Sequence, residues 1–393
     1  MTTHAIAINA AARQRYLLVL LFAGFALTGI EITVAGPLLP QFIARWSLSD
    51  SQAGVFFTVQ FSASLGGVWL SSLITHYLGT RTSLVLGYFL VSLGLATVNA
   101  SSMTVTILAL GALGIGYGLV VPPTNLVVAE IGGLRSASLV SLVNLAWGAG
   151  AVSCSPLVLL ALKNGFLQQL LFFFAGFGCL LAISFLFSTF PEAQHAAEPG
   201  AAAGMAVRVT VLTTIALAAL YYLYVGMEAS LGGWSASHVK RLSGGRSDVA
   251  TLAPMFFYGG LLAGRALAPV ALAYVREYRL VMSVLFMAII GNTLFLLATN
   301  QKIAFASVAV AGLGCATIFP IFVAWLARWY GPRAGIVRGL MFSMSSLGSA
   351  SVPWIVGFVS DHAGGLRVGL LVPLFSAVAM VFLLLLVRRQ ASA

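Results

Sequence analysis

The sequence predicts an all-α polytopic membrane protein, with about twelve transmembrane helices in two pseudo-symmetric six-helix bundles. Three observations predict it. Of 393 residues, 60% are hydrophobic and only 7% charged, with a mean hydropathy of +1.02. Soluble chains carry about 25% charged residues, so this chain cannot cover a water-facing surface and lipid is its natural solvent. Apolar runs of about 20 residues, enough to cross ~30 Å of hydrocarbon as a helix, recur along the whole length. Finally, Gly29-Ile30-Glu31 returns 197 positions later as Gly226-Met227-Glu228, which marks two related halves.

The first six runs are roughly Tyr16 to Phe42, Gln52 to Thr75, Ser83 to Val98, Val105 to Ala129, Ala137 to Leu162 and Phe166 to Phe190. The second six are roughly Val209 to Val239, Val249 to Val275, Leu280 to Thr299, Ile303 to Ala327, Ala334 to Val359 and Val368 to Val387. Most connections are short and polar. The exception, Pro191 to Arg208, is rich in Ala, Gly, Pro and Glu and reads as a cytoplasmic linker between halves. The expected domains are therefore residues 1–190, a linker at 191–208, and residues 209–393. The first run is too long for a signal-peptide core, so a retained helix is expected. Pro37, Pro122, Pro123, Pro320 and Pro353 are expected to loosen the helices that contain them.

Lys and Arg in the loops set orientation. With the N-terminus inside, Arg13, Arg15, Arg81, Arg135, Arg208, Arg276, Arg279, Arg328, Arg333, Arg338, Arg388 and Arg389 fall on the cytoplasmic side. Arg45, Lys163, Lys240, Arg241, Arg246, Lys302 and Arg367 fall outside. The bias puts both termini in the cytoplasm, although the Lys240 to Arg246 cluster runs against it.

The repeat extends beyond the glutamates. Span four reads Gly114-Ile-Gly-Tyr-Gly-Leu-Val-Val-Pro122 and span ten Gly312-Leu-Gly-Cys-Ala-Thr-Ile-Phe-Pro320, a shift of 198, and Asp50 and Asp248 follow spans one and seven at the same shift. Gly and Pro are frequent in any membrane helix, but three landmarks in one register favour a 6+6 carrier whose halves rock around a midplane site.

Several function classes are excluded or disfavoured. The formal charge of +11 is scattered through short connections, with no stripe for nucleic acid. Cys154, Cys179 and Cys315 lie in apolar segments with neither a CxxC motif nor a nearby His, so they read as packing residues. No HExxH, GxSxG, Walker loop or metal cluster occurs in the apolar runs, which argues against an enzyme and leaves no cofactor to expect. A channel would need a more repetitive pore element.

The chemistry then rests on residues that are expensive at bilayer depth. Glu31 and Glu228 each cost several kcal/mol there and so are expected to face a cavity and carry a proton, or sodium with neighbouring oxygens; the structural reading is a fixed partner across helices. In span seven Tyr221, Tyr224 and Glu228 fall on one stripe, with Trp234 beyond them. Asn144 and Trp147 share a face in span five, Tyr117 and Asn125 lie in span four, and Gln60 is a mid-helix amide in span two. Amides, hydroxyls and aromatic faces in an apolar setting suit a polar ring, while the same groups also serve as glue between membrane helices. Trp46, Trp325 and Trp329 lie near predicted interfaces and are expected in the aromatic belt.

These stretches resemble the major facilitator superfamily over nearly the whole chain. Four of them resemble its fucose:proton symporter branch, which includes bacterial hexose carriers and sodium-dependent glucose carriers. They are Gln60-Phe61 with Gly66-Gly67, Gly114 to Leu119 leading to Pro123-Thr124-Asn125, Asn144-Leu-Ala-Trp-Gly-Ala-Gly150, and Tyr224 to Trp234. The superfamily's G-x-L-A-D-R-x-G-R-K loop survives as Ser72 to Arg81, keeping Gly79 and Arg81 but with His76 in place of the Asp. The resemblance implies a gating role for these three and a structural one for Arg265, beside Gly264. The branch's span-one Asp aligns with Gly36 and its span-four Glu with Val121, so its protonation sites do not carry over. Coupling is left to Glu31, Glu228 or neither.

The expectation is a secondary transporter in a bacterial inner membrane, a monomer, importing a small polar solute by alternating access. The resemblance points to a hexose sugar, with proton coupling first and sodium second. The alternative is an efflux antiporter for drugs or amphiphiles of the same fold, although the span-five Gly-Pro signature is absent, since Pro156 follows Ser155. A non-transporting nutrient receptor is the alternative of another class.

Overall fold

The computed structural model describes residues 2–190, 209–245, 248–330 and 334–391. The proposed linker, 191–208, lies outside the described residues. Fifteen helices follow in order: α1 (Thr2–Thr33), α2 (Ala35–Trp46), α3 (Asp50–Leu78), α4 (Thr80–Thr97), α5 (Met103–Gly132), α6 (Ser136–Lys163), α7 (Leu167–Leu186), α8 (Val211–Leu242), α9 (Ala253–Tyr274), α10 (Glu277–Leu297), α11 (Gln301–Cys315), α12 (Ile318–Tyr330), α13 (Ala334–Ala363), α14 (Leu366–Gly369) and α15 (Leu371–Ala391). Among the described residues there is no strand.

They make twelve spans long and apolar enough to cross a bilayer, with α1 and α2 forming the first, α11 and α12 the tenth, and α14 and α15 the twelfth. Val19, Trp69, Phe173 and Phe382 are each more than 60% exposed. Apolar exposure on this scale is foreign to soluble monomers and fits side chains solvated by lipid tails. The chain is an integral membrane protein.

Only two of the five prolines named above coincide with a break. A proline removes one N–H and crowds the carbonyl four residues earlier. Pro37 lies four residues after Thr33, where α1 ends, and Pro320 four after Ala316, between α11 and α12. Pro122 and Pro123 sit inside an unbroken α5, and Pro353 inside α13.

The chain divides into two compact units, and their boundaries differ from a cut at residue 191. Unit one comprises residues 1–32, 62–154 and 160–196; unit two comprises 33–61, 155–159 and 197–393. Unit two thus contains α2 and the first part of α3 together with spans seven to twelve. Within each unit the glycine pattern of the sequence becomes helix crossings. A Cβ on Gly29 would strike the Trp147 carbonyl and come within 2.9 Å of Ala151 N, so spans one and five touch backbone to backbone. Gly226 does the same for spans seven and eleven, its Cβ position lying 2.8 Å from Val352 Cβ and 3.0 Å from the Gly348 carbonyl. Gly116 in span four packs on Gly87 and Val91 of span three, and Gly314, 198 positions later, packs on Val284 and Ala288 of span nine. The same crossings recur at the same spacing, which is the structural content of the repeat.

Trp325 and Trp329 are not belt residues. Both are buried, their rings stack 5.3 Å apart, and the Trp325 indole N–H donates to Glu277 at 2.7 Å. An indole near a helix end that finds a carboxylate partner inside the protein has no need of the headgroup layer. Trp46 is half-buried, with Arg45 over its ring at 5.4 Å.

Candidate functional site

In unit one, α1 carries Glu31 into a fully buried position, and neither carboxyl oxygen has a hydrogen-bond partner among the described residues. One turn earlier, Thr28 is equally buried, but its hydroxyl already donates to the Phe25 carbonyl at 2.8 Å. Across from α1, Tyr88 of α4 is fully buried, stacked on Phe185 at 5.5 Å, and its hydroxyl also lacks a partner among the described residues. That hydroxyl occupies the space a Cβ on Gly24 would fill, and Gly24 lies two turns before Glu31 on the same helix face. The two groups are close enough for an ionised Glu31 to act on the phenol. Two orphaned polar groups in one apolar bundle call for an explanation, because native proteins pair nearly all such groups.

The amides of unit one are brought together. Asn144 Nδ2 donates to Asn125 Oδ1 at 3.0 Å and to the Val140 carbonyl at 2.8 Å, while Asn125 Nδ2 donates to the Val121 carbonyl at 3.0 Å. By the inventory of amide groups, and among the described residues, Asn144 Oδ1 is left to accept and one Asn125 N–H to donate. Both residues are half-buried, as are Trp147, one turn from Asn144 on α6, and Tyr117 on α5.

Gln60, Tyr221, Tyr224, Glu228, Trp234 and Arg265 belong to unit two. Gln60 is fully buried in α3. Tyr221 is packed among Phe319, Phe322 and Phe342, with centroids 5.6, 5.7 and 6.4 Å away. Trp234 is also core: its N–H donates to the Pro353 carbonyl at 2.9 Å and its ring leans on Phe57. Glu228 is half-buried and receives a hydrogen bond from Tyr224 at 2.5 Å. Tyr224 Oη also lies 3.0 Å from the Cys315 carbonyl, at the end of α11. Arg265, half-buried on α9, acts electrostatically on Tyr224 and Cys315.

Of the three residues for which the sequence resemblance implied a gating role, Gly79 joins α3 to α4 at φ +85°, a conformation that favours glycine. Arg81 donates to the Ser188 carbonyl at 2.8 Å and lies over Phe190. His76 is exposed and meets Tyr77 edge-on at 4.7 Å.

Sequence reasoning missed a second polar cluster, in unit two. The Asp361 carboxylate accepts from Asp50 N at 3.0 Å, Ser51 N at 2.8 Å and the Ser51 hydroxyl at 2.5 Å, capping the start of α3. In return Asp50 accepts two hydrogen bonds from Arg241 and one from Ser360. Arg241 had counted against the topology bias; its pairing explains why a basic residue sits there. Because the Asp50 side chain is only 7% exposed, Arg241→Gln and Asp50→Asn should each cost about 1–3 kcal/mol, and the double variant less than their sum. Melting temperatures in detergent read this cycle; strict additivity would mean that the pair contributes nothing.

No known family profile matches the chain. Its curated relatives include a glucose/galactose transporter of Brucella abortus, 27% identical over 164 residues, or 41% of this chain. That alignment spans 39% of the relative's own length. Over nearly the full chain the structure superposes on solved transporters. A Major Facilitator Superfamily transporter, FucP, in the outward conformation matches with TM-score 0.60 and 14% identity, covering 95% of this chain and 99% of that one. This protein has the major facilitator fold. A bacterial homologue of the human lysosomal transporter Spinster, inward-facing, matches with TM-score 0.77 and 15% identity over 96% and 97% of the two chains. The D-xylose-proton symporter matches with TM-score 0.71 and 17% identity over 93% and 96%. Within the major facilitator fold, the breaks near Pro37 and Pro320 are features of the spans that bear on the two carboxyls: Glu31 is two residues before the first, and Tyr224 links Glu228 to the second.

Proposed function

We propose that the protein imports a hexose together with a proton by alternating access, with both termini in the cytoplasm. Glu31 carries the coupling. The observation behind this is the fully buried Glu31 carboxyl, whose two oxygens have no partner among the described residues. A lone ionised carboxylate there costs many kcal/mol, whereas its neutral form costs a few. A hard cation such as sodium needs several oxygen ligands. Nearby, Thr28 has committed its hydroxyl and Tyr88 offers one phenol, so the set suits a proton better than sodium. Proton binding and release at Glu31 then require that α1 open a path to it on each side in turn, and the break after Thr33 supplies a point at which α1 bends.

The sugar assignment draws support from the Brucella relative and from the Asn125–Asn144 pair, which presents an acceptor and a donor side by side. Glu228, half-buried, is the acceptor for a substrate hydroxyl in the second half. The test is uptake of labelled sugars into proteoliposomes under imposed proton or sodium gradients. Accumulation of a hexose driven by protons alone is expected; accumulation only with sodium, or of no sugar under any gradient, overturns the reading. Asn144→Ala should raise the apparent KM about tenfold or more, since one lost polar contact leaves its partners unpaired.

A further inference from the structure

We infer that Glu228 and Tyr224 form a proton-dependent clasp on the break between α11 and α12. The clasp deepens the coupling proposed above and rests on that reading for its role in transport.

Span ten is interrupted where α11 stops at Cys315 and α12 starts at Ile318, which puts the Cys315 carbonyl among the terminal carbonyls that the helix leaves without an N–H of its own. At membrane depth a freed backbone carbonyl must find another donor. Tyr224 reaches that point from α8: its hydroxyl lies 3.0 Å from the Cys315 carbonyl and 2.5 Å from Glu228 Oε2. Both neighbours accept hydrogen bonds, and a phenol has one proton to give. Both contacts are fully made only when Glu228 brings a proton of its own, so that the carboxyl donates to Tyr224 Oη and Tyr224 donates to the Cys315 carbonyl. When that proton leaves, Tyr224 turns its single O–H to the carboxylate, the stronger acceptor. The carbonyl at the break then loses its donor.

The proton comes from and returns to water at the half-buried carboxyl, and no other group changes charge. Among the described residues, these ionisable groups lie on the elements packed against α8. Arg265 faces Tyr224 and Cys315 from α9, and the Cys315 thiol belongs to α11. Tyr330 of α12 is engaged with Thr214, and Asp361 of α13 caps α3. The consequence is mechanical: protonated Glu228 holds α11 to α8 at the break, and ionised Glu228 releases it.

Cys315 itself reports on the clasp. With Cys154 and Cys179 replaced by alanine it is the single thiol, and it is fully buried. We would measure its labelling by N-ethylmaleimide in detergent, without sugar or gradient, in this background and in Glu228→Gln and Tyr224→Phe. The Gln carboxamide donates to Tyr224 at every pH and mimics the protonated acid. Relative to Glu228→Gln at the same pH, which removes the intrinsic pH dependence of thiol labelling, the parent should label equally wherever Glu228 is protonated. Wherever Glu228 is ionised it should label up to about tenfold faster, the effect of losing one hydrogen bond. Electrostatics alone would act the other way, because an ionised Glu228 repels a thiolate. Tyr224→Phe should label fast in both ranges. A parent that tracks Glu228→Gln at every pH overturns the clasp, as does a Tyr224→Phe protein as slow as Glu228→Gln. Glu228→Gln keeps the test informative if Tyr224→Phe does not fold. If no sugar is transported under any gradient but labelling follows this pattern, the clasp stands without the sugar reading. If labelling shows no clasp while Glu31→Gln uncouples uptake, the coupling reading stands without the clasp.

Discussion

Glu31→Gln is expected to abolish uphill sugar accumulation while leaving downhill equilibration intact. One pH unit of gradient is worth about 1.4 kcal/mol, which supports about a tenfold accumulation ratio for a one-proton symporter. The variant should reduce that ratio to about one. Gln has nearly the shape of the acid and buries an amide in the same partnerless setting, so it removes the titrating group with little change in packing. Its downhill counterflow and melting temperature should therefore stay close to the parent's. A variant that still accumulates sugar tenfold would remove Glu31 from the mechanism. One that has lost counterflow as well would show that the carboxyl is needed for the conformational change itself. Tyr88→Phe is the companion change: it removes the facing orphan hydroxyl and should alter the pH dependence of uptake while sparing the fold, since the Tyr88 ring, not its hydroxyl, packs on Phe185.

The glycines ahead of the two glutamates carry the second large effect. Gly29→Leu should prevent accumulation of folded protein, and Gly29→Ala should cost about 1–3 kcal/mol. Its Cβ would meet the Trp147 carbonyl and Ala151 N of α6, backbone atoms that cannot turn aside as a side chain can. Gly226→Ala should be milder, because a Cβ there first meets the Val352 side chain. Gly176→Ala is the control, with nothing within 4 Å of the added atom. Thermal unfolding in detergent ranks the three; equal melting of Gly29→Ala and Gly176→Ala would contradict the close crossing.

Much of this was legible in the sequence because lipid leaves so few choices. Every backbone group must be paired inside a helix, so long apolar runs marked the spans, and the register of Gly116 and Gly314 marked equivalent crossings. The breaks were half legible. Pro37 and Pro320 interrupt their spans, but Pro122 and Pro123 do not, and nothing local to those four prolines separates them. The embedded carboxyls stood out by cost alone, yet their surroundings did not. That both Glu31 oxygens lack a hydrogen-bond partner among the described residues, and that Glu228 has Tyr224 on it, depends on which neighbours the bundle brings near. The sequence stripe put Tyr221 beside Tyr224 and Glu228, and both tyrosines do pack on Phe319 and Phe322, but that this cluster encloses Tyr221 and that Trp234 donates to the Pro353 carbonyl were not legible. The partnership of Asp50 with Arg241, and of Asp361 with the start of α3, joins residues 191 and 311 positions apart, beyond any local pattern.

The most direct test of proton coupling at Glu31 is proton movement evoked by sugar. Proteoliposomes holding a trapped pH indicator, with no gradient imposed, should acidify inside when a transported hexose is added outside. Glu31→Gln vesicles should take up the same sugar downhill without acidifying. Sugar entry with no proton movement in the parent protein, or equal acidification in the Gln variant, would contradict it.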